Sequence, residues 1–249
     1  MTEQPILVAH RGYAAAWPEN TLPALDAAVA AGARWVEVDV QLCADGVPVL
    51  LHDADLERVS GHAVSVFELT AAQLADHPVG EPGRFGTRFN AVRAPTLEQF
   101  AGWLAGHPGI QAFVELKAES IGRFGREAVL ATCLQAMAPL HGRWVPISDD
   151  YRVLQLAAEA GAPHLGWVVR EFDAAVAARA RALPARWLFR NHLRLPDGPL
   201  APGPWDWVCY EVGDVDTARA LLARGVRWLE TMDIATLHLA LLQGDPSQP

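Results

Sequence analysis

The stretch Ile6-Leu7-Val8-Ala9-His10 is a short apolar run that ends in a histidine, and similar runs recur along the 249-residue chain. Longer Ala- and Leu-rich amphipathic stretches separate them, which is the pattern of strands alternating with helices around a mainly parallel sheet. Eight runs are predicted to be strands: 6–10, 35–40, 111–116, 144–148, 164–169, 186–189, 207–210 and 226–230. Eight such units in a chain of this length predict one (β/α)8 TIM barrel, a single domain over residues 1–249.

The segments between the strands predict the rest of the architecture. The segment 191–206 is rich in Pro and Gly, so an irregular loop is expected there. Residues 47–51 follow the turn signal Ala44-Asp45-Gly46, which predicts that the second strand either extends or folds back as a hairpin. Residues 53–95 are predicted to be a small surface insertion after the second strand, and residues 244–249 a frayed tail. Seven stretches are predicted to be helices: 21–31, 97–105, 126–137, 151–160, 173–182, 215–223 and 234–242.

Composition argues against several classes of protein. The net charge of -9, without a clustered basic face, disfavours nucleic acids and anionic lipid surfaces as partners. No apolar run approaches the ~18 residues of a membrane-spanning helix, so stable membrane insertion is not expected. The N-terminus lacks a basic segment followed by an apolar core, which predicts a cytoplasmic rather than an exported protein. The three cysteines have no zinc-binding spacing and are expected to be buried, reduced thiols. The sequence leaves the oligomeric state open.

Charged and titratable side chains follow the ends of the first strands. Working residues of (β/α)8 barrels lie at the C-terminal ends of the strands, so these side chains are predicted to share one rim. They are His10, Arg11, Glu37, Asp39, His52, Glu115 and Lys117.

Three of these residues predict a metal site. Glu37 and Asp39 are two residues apart on a strand and therefore point to the same side, where Glu115 can meet them. Carboxylates that converge in a partly dehydrated barrel need a counter-charge, and a hard divalent ion suits oxygen ligands. Mg²⁺ or Ca²⁺ is therefore predicted at Glu37, Asp39 and Glu115. Any of these acids could instead form a plain ion pair with a basic neighbour: Arg11, Arg34 or Lys117.

His10 and His52 are predicted to be the proton carriers. Imidazole titrates near neutral pH, and phosphoryl transfer from an ester needs a base for the nucleophile and an acid for the leaving alkoxide. Lys117 is also notable, because it is the only lysine among 20 basic residues. A position that keeps lysine in an arginine-rich chain suggests a need for a compact ammonium donor.

These motifs together resemble the glycerophosphodiester phosphodiesterase signature. The stretches that carry the resemblance, in order, are Ala9-His10-Arg11-Gly12, Pro18-Glu19-Asn20-Thr21, Glu37-Val38-Asp39, Asp45-Gly46-Val47-Pro48-Val49, His52-Asp53-Ala54-Asp55-Leu56-Glu57-Arg58, Pro95-Thr96-Leu97-Glu98 and Glu115-Leu116-Lys117. A composite match of this length is far more specific than any single piece.

The resemblance implies a barrel that hydrolyses small-molecule glycerophosphodiesters to glycerol 3-phosphate and an alcohol. It implies that His10 and His52 act as general acid and base, that Glu37, Asp39 and Glu115 hold the divalent cation, and that Arg11 and Lys117 contact the phosphate. It also implies that the insertion after His52 helps to shape the pocket.

The second half of the chain departs from the common family pattern. Ser148-Asp149 stands where many members have Ser-Phe, and Cys209-Tyr210-Glu211-Val212 stands where they have Trp-Thr-Val-Asn. The last strand ends Glu230-Thr231-Met232-Asp233 rather than in Thr-Asp. These positions are expected to touch the leaving alcohol or to close the barrel, so the head group of the substrate stays open.

Two other functions compete with this interpretation. A related barrel phospholipase would need an apolar or basic interfacial surface, and its secreted relatives usually carry disulfides. A non-catalytic barrel that binds phosphodiesters would have no need for a matched acid and base. The sequence favours the hydrolase over both.

Overall fold

Eight parallel strands close into a barrel in this computed structural model, which describes residues 5–242. Together with one antiparallel strand, β3, they make nine: β1 Ile6–His10, β2 Trp35–Leu42, β3 Pro48–Leu50, β4 Gln111–Leu116, β5 Trp144–Ser148, β6 Leu165–Val168, β7 Ala185–Asn191, β8 Asp206–Tyr210 and β9 Trp228–Thr231. β1 pairs in parallel with both β2 and β9, and these two pairings close the barrel. The predicted (β/α)8 barrel and its eight strands are confirmed.

The ninth strand, β3, is a hairpin partner of β2. It pairs antiparallel with the last residues of β2, with Val40 opposite Leu50. The hairpin turns at Gly46, whose φ of 77° is a conformation that glycine adopts without strain. Of the two predicted alternatives, the second strand both runs two residues further, to Leu42, and folds back.

Helices cover the outside of the barrel. They are α1 Leu22–Ala30, α2 Glu57–Ser60, α3 Ala71–Leu74, α4 Pro82–Phe85, α5 Leu97–Gly106, α6 Ala118–Phe124, α7 Arg126–Met137, α8 Tyr151–Glu159, α9 Ala174–Ala182, α10 Val215–Ala223 and α11 Ile234–Leu242. The seven predicted helices are all present. The predicted irregular segment after β7 holds only a short 3-10 turn, His192–Arg194. The predicted tail at 244–249 lies outside the described residues.

Residues 53–95 contain the three short helices α2 to α4 and a small core of their own. That core includes Leu56, Val66 and Leu74, which pack against Val49 of the hairpin. The segment also contacts the loop after β1, where the Glu81 carboxylate accepts a hydrogen bond of 2.7 Å from the backbone N–H of Glu19. The assignment of residues 53–95 as an insertion within one domain stays a prediction.

The barrel lumen is filled in two layers of opposite chemistry. The lower layer, near the N-terminal ends of the strands, holds the aromatic side chains of Trp35, Phe113, Trp187 and Trp228 in mutual contact. The upper layer holds charged side chains, described below. A second, larger apolar core lies between the strands and the surrounding helices, where Cys133 and Cys209 are buried as free thiols. None of the helices in residues 5–242 has the length and apolarity that a membrane crossing requires.

Candidate active site

The C-terminal ends of the strands surround an open cleft of about 330 Å³. Six of the seven predicted site residues line it: His10, Arg11, Glu37, His52, Glu115 and Lys117. The seventh, Asp39, is 1% exposed and lies directly behind Arg11 and Lys117. The fold therefore brings all seven predicted side chains to one place.

The end of β1 places His10 beside Glu37. The two residues are register partners, and His10 Nε2 lies 3.8 Å from Glu37 Oε2. The chain then turns sharply, and the backbone N–H of Arg11 donates to the same Glu37 oxygen at 3.2 Å. Gly12, at φ 83°, is required in this turn because a Cβ there would come within 2.7 Å of the backbone of Ala24. Burial, helped by the charge of Arg11, lowers the pKa of His10 well below its ordinary value, so this imidazole is neutral at neutral pH.

Asp39 is the best-partnered acid of the site. Arg11 Nε lies 3.0 Å from its Oδ2, and Lys117 Nζ lies 3.4 Å from its Oδ1. Asn20 braces it twice, donating from Nδ2 to Oδ2 at 2.9 Å and accepting from the Asp39 backbone N–H at 3.0 Å. Burial alone would raise the pKa of Asp39, but Arg11 and Lys117 hold it below its ordinary value. This carboxylate is therefore ionised.

Glu115 shares the ammonium of Lys117, which lies 3.3 Å from Glu115 Oε1. Burial raises the pKa of Glu115 to about 7, although Lys117 opposes the shift. The alternative left open by the sequence, a plain ion pair, is thus formed by Asp39 and Glu115. Arg34 is not among the ion-pair partners of either acid in the described part of the chain.

Glu37 and Glu230 differ from the other two acids because neither has a lysine or arginine side chain within ion-pair distance in residues 5–242. One oxygen of each, Oε1 in both cases, is buried without a hydrogen-bond partner. Burial and the neighbouring carboxylates raise the pKa of Glu37 and of Glu230 well above the ordinary value. Within residues 5–242 the protein thus places no lysine or arginine beside these two acids that would balance their ionised forms.

His52 is held by a chain of ion pairs that reaches into the insertion. Its Nδ1 lies 2.6 Å from Asp53 Oδ1, and Arg58 Nε donates to the other Asp53 oxygen at 2.7 Å. Arg58 also donates twice to Glu19, at 2.8 Å each, and Glu19 accepts from Arg11 Nη1 at 2.9 Å. Since Asp53 engages Nδ1, the Nε2 atom of His52 is left for a substrate.

Residues from the later strands form the opposite wall of the cleft. Arg170 Nη2 lies 2.7 Å from Asp149 Oδ2, and Asn191 donates to Glu211 at 2.6 Å. Tyr210 completes this wall. Three stretches that depart from the family pattern thus reach the cleft, through Asp149, through Tyr210 and Glu211, and through Glu230. Ser148 does not, because it is buried and its hydroxyl donates to Leu116 O.

Two features of this site were not predicted from the sequence. Glu230 was noted only as a departure from the family pattern, yet it alternates with Trp228 on β9 and so points into the lumen. Asn20 is the second feature: its neighbour Thr21 caps α1, whereas the Asn20 side chain supports Asp39. The positive φ of Asn20, 55°, is well tolerated by asparagine and aims the side chain inward.

Comparison with known proteins identifies the family of this site. Residues 10–136, which run from His10 past Lys117, match the glycerophosphoryl diester phosphodiesterase family. A Mycobacterium tuberculosis protein named probable glycerophosphodiester phosphodiesterase 1 is 31% identical over 253 residues, covering 91% of this chain and 89% of that protein. The chain belongs to the glycerophosphoryl diester phosphodiesterase family. The resemblance seen in the motifs is confirmed.

Other relatives of this phosphodiesterase-family chain match over part of their length or by fold alone. An uncharacterized M. tuberculosis protein is 39% identical over 122 residues, covering 47% of this chain and only 40% of that protein. The structure of an Oleispira antarctica phosphodiesterase in complex with the product sn-glycerol-3-phosphate has a TM-score of 0.83 at 23% identity, covering 97% of this chain and 98% of the other. A Thermotoga maritima glycerophosphodiester phosphodiesterase has a TM-score of 0.73 at 20% identity, covering 97% and 100%. These two structures share the fold.

Proposed function

We propose that this protein hydrolyses small-molecule glycerophosphodiesters to glycerol 3-phosphate and an alcohol in the cleft at the barrel mouth. The observation that carries the proposal is the meeting of two histidines, an acidic cluster and a lysine around one open cleft. The family assignment supports this reaction, and so does the product complex of the O. antarctica phosphodiesterase. The cytoplasmic location predicted from the sequence stays a prediction.

A divalent cation, Mg²⁺ or Ca²⁺, is part of the proposal, with Glu37, Asp39 and Glu115 as its ligands. Ligand-capable oxygens of these three residues lie within 4.8 Å of one another. Glu37 Oε1 is buried without a hydrogen-bond partner, and Asp39 Oδ1 accepts no hydrogen bond although Lys117 Nζ lies 3.4 Å away. Both oxygens therefore keep lone pairs that could bind a cation. The all-oxygen donor set fits a hard ion. When bound, the ion supplies positive charge that stabilises the phosphoryl group in the transition state.

His10 is proposed as the general base. Its imidazole is neutral at neutral pH because of burial and Arg11, so it can accept a proton from the attacking hydroxyl. That hydroxyl belongs to water or to the glycerol 2-position. The proton then resides on the ring of His10 until the product leaves.

His52 is proposed as the general acid. The Asp53 carboxylate, 2.6 Å from Nδ1, orients the ring and leaves Nε2 to donate a proton to the leaving alkoxide. The ion pair of Asp53 with Arg58 fixes the carboxylate in turn. The two histidines thus have different partners, which suits them to opposite proton transfers.

Lys117 and Arg11 are proposed to bind the phosphate. Lys117 is 11% exposed at its side chain and lines the cleft, so its ammonium can neutralise a phosphate oxygen while it stays near Asp39. Arg11 already contacts Asp39 and Glu19 through Nε and Nη1, so only the remaining face of its guanidinium is available to the substrate. Arg11 therefore also holds the acids in position.

The test is the identity of the product. Purified protein is incubated with a panel of glycerophosphodiesters, beginning with glycerophosphocholine and glycerophosphoethanolamine, and the products are resolved by phosphorus NMR. Glycerol 3-phosphate together with the free alcohol supports the proposal. Release of a phosphorylated head group and free glycerol would contradict it, because the opposite ester bond would then be the one that breaks. No turnover of any panel member by metal-loaded protein would also contradict it.

A further inference from the structure

Glu230 is a buried lumen-facing carboxylate that the phosphodiesterase signature does not account for. It lies on β9, two residues after Trp228 and on the same face of the strand, and is 3% exposed. Its Oε1 has no hydrogen-bond partner, and no lysine or arginine of residues 5–242 forms an ion pair with it. Burial of an unpaired carboxylate is costly, so the ionised form of Glu230 needs a cation beside it.

The closure of the barrel brings Glu230 to Glu37. β1 lies between β9 and β2, and ligand-capable atoms of His10, Glu37 and Glu230 all lie within 4.8 Å of one another. Glu37 Oε1 is also buried and unpartnered. Two oxygens on different strands are thus within reach of one ion, since both would lie about 2.0–2.6 Å from a bound Mg²⁺ or Ca²⁺.

The charges of the site divide into two unequal parts. Asp39 and Glu115 lie 3.4 and 3.3 Å from Lys117 Nζ, and Asp39 is also 3.0 Å from Arg11 Nε. The protein therefore balances these two acids with its own cations. Glu37 and Glu230 are left with two negative charges when ionised, which is the charge that one divalent cation neutralises.

We infer that Glu230 is a direct ligand of the active-site divalent cation, together with Glu37. The inference rests on the proposed function only in taking a divalent cation to be present. It adds a fourth carboxylate, from the opposite side of β1, to the acids predicted from the signature. Glu230 would draw the ion towards Glu37 and away from the ammonium of Lys117.

The experiment is a Mn²⁺ titration of chelated, dialysed protein, followed by electron paramagnetic resonance of the free ion. Glu230→Gln keeps the shape of the side chain and removes its charge. Its Mn²⁺ affinity is expected to fall at least about 10-fold, the lower bound for changes near a metal. Glu211→Gln is the matched control, because Glu211 is an exposed acid on the wall of the same cleft. Its affinity is expected to match that of the unaltered protein.

A second readout separates direct ligation from a distant effect of charge. Loss of a ligand opens a position for water, so the water-proton relaxation rate per bound Mn²⁺ should rise in Glu230→Gln and stay constant in Glu211→Gln. Folding is checked by the melting temperature of the metal-free proteins. Glu230→Gln should melt at or above the unaltered protein, because a buried unpaired charge is gone. Its gain in melting temperature on addition of Mn²⁺ should shrink.

Unchanged Mn²⁺ affinity and relaxation in a folded Glu230→Gln would overturn the inference and identify Glu230 as a neutral, protonated acid. An affinity loss without a rise in relaxation would also overturn direct ligation. These outcomes are distinct from a failure of the proposed function, which would be an unaltered protein that binds Mn²⁺ but releases no glycerol 3-phosphate.

Discussion

Strands β2, β4 and β9 contribute side chains to both the lower and the upper layer of the lumen, yet the two layers differ in chemistry. In the lower layer, Trp35 and Phe113 stack with ring centroids 4.6 Å apart, and Trp187 and Trp228 contact both. In the upper layer, four strands contribute acids and bases, and several buried polar atoms have no partner. The aromatic layer stabilises the barrel, whereas the charged layer is costly to fold, which fits its proposed role as the active site.

This difference predicts that the upper layer determines activity and that the lower layer determines stability. Substitutions in the charged layer should reduce turnover with little loss of folding free energy. Substitutions in the aromatic layer should do the reverse. If single substitutions in the charged layer lowered both turnover and folding free energy, the two layers would not have these separate roles.

The largest expected effect is on turnover. His10→Ala and His52→Ala should each lower kcat by about 10²–10⁴-fold or more, because each removes one proton carrier. Their melting temperatures should stay close to that of the unaltered protein. The deciding measurement is kcat for glycerophosphocholine. His141→Ala is the control, because His141 lies in an exposed turn before β5, at the end of the barrel opposite the mouth. Normal turnover in either mouth variant would remove that histidine from the mechanism.

The next effect is on stability. Trp187 is 2% exposed and contacts three other aromatic rings of the lower layer. Trp187→Ala should lower the free energy of unfolding by about 3–5 kcal/mol, because it leaves a large cavity. Urea unfolding measures this loss, and the folded fraction should keep a near-normal affinity for Mn²⁺. A loss below about 1 kcal/mol would show that the lower layer is not the stabilising half.

Substitution of Glu37 is expected to weaken metal binding and to stabilise the metal-free protein. Glu37→Gln should weaken Mn²⁺ binding about 10-fold or more and lower turnover with it. In the absence of metal the same variant should be more stable by about 1 kcal/mol, because it relieves repulsion among buried carboxylates. Titration and melting of the metal-free protein test both signs. A Glu37→Gln protein with unaltered metal affinity would remove Glu37 from the ligand set.

The last expected effect is a pH dependence of the metal-free protein. The pKa of Glu115 is raised from its ordinary value of 4.5 to about 7, so the folded state binds more protons than the unfolded state between these values. Stability should therefore fall as pH rises from about 4.5 to 7, by roughly 3 kcal/mol at most. Melting curves across this range should show the fall, and saturating Mg²⁺ or Ca²⁺ should weaken it. A melting temperature that rises over the same range without metal would contradict the assignment.

The sequence predicted the framework well because its signals are local. Short apolar runs separated by amphipathic stretches specify all eight barrel strands, and strand-end residues such as His10 and Glu115 follow from alternation. The helix α6 was missed because its seven residues are too few to establish a helical period. The hairpin was left open because the choice between extension and return depends on pairing with β2.

The remainder of the site depends on contacts between distant parts of the chain. That Glu230 meets Glu37 follows from the pairing of β1 with β9, more than 200 residues apart in sequence. Asn20, which supports Asp39, has a positive φ that no local pattern predicts. Patterns in a single sequence predict neither the proximity of Glu230 to Glu37 nor the contact of Asn20 with Asp39.

The central claim is that the charged layer hydrolyses glycerophosphodiesters with the help of a divalent cation. The most direct measurement is the release of glycerol 3-phosphate from glycerophosphocholine or glycerophosphoethanolamine by chelated protein, before and after Mg²⁺ or Ca²⁺ is restored. The account predicts turnover that disappears on chelation and returns with the ion. Equal turnover in chelated and metal-restored protein, or none from folded protein with bound metal, would contradict it.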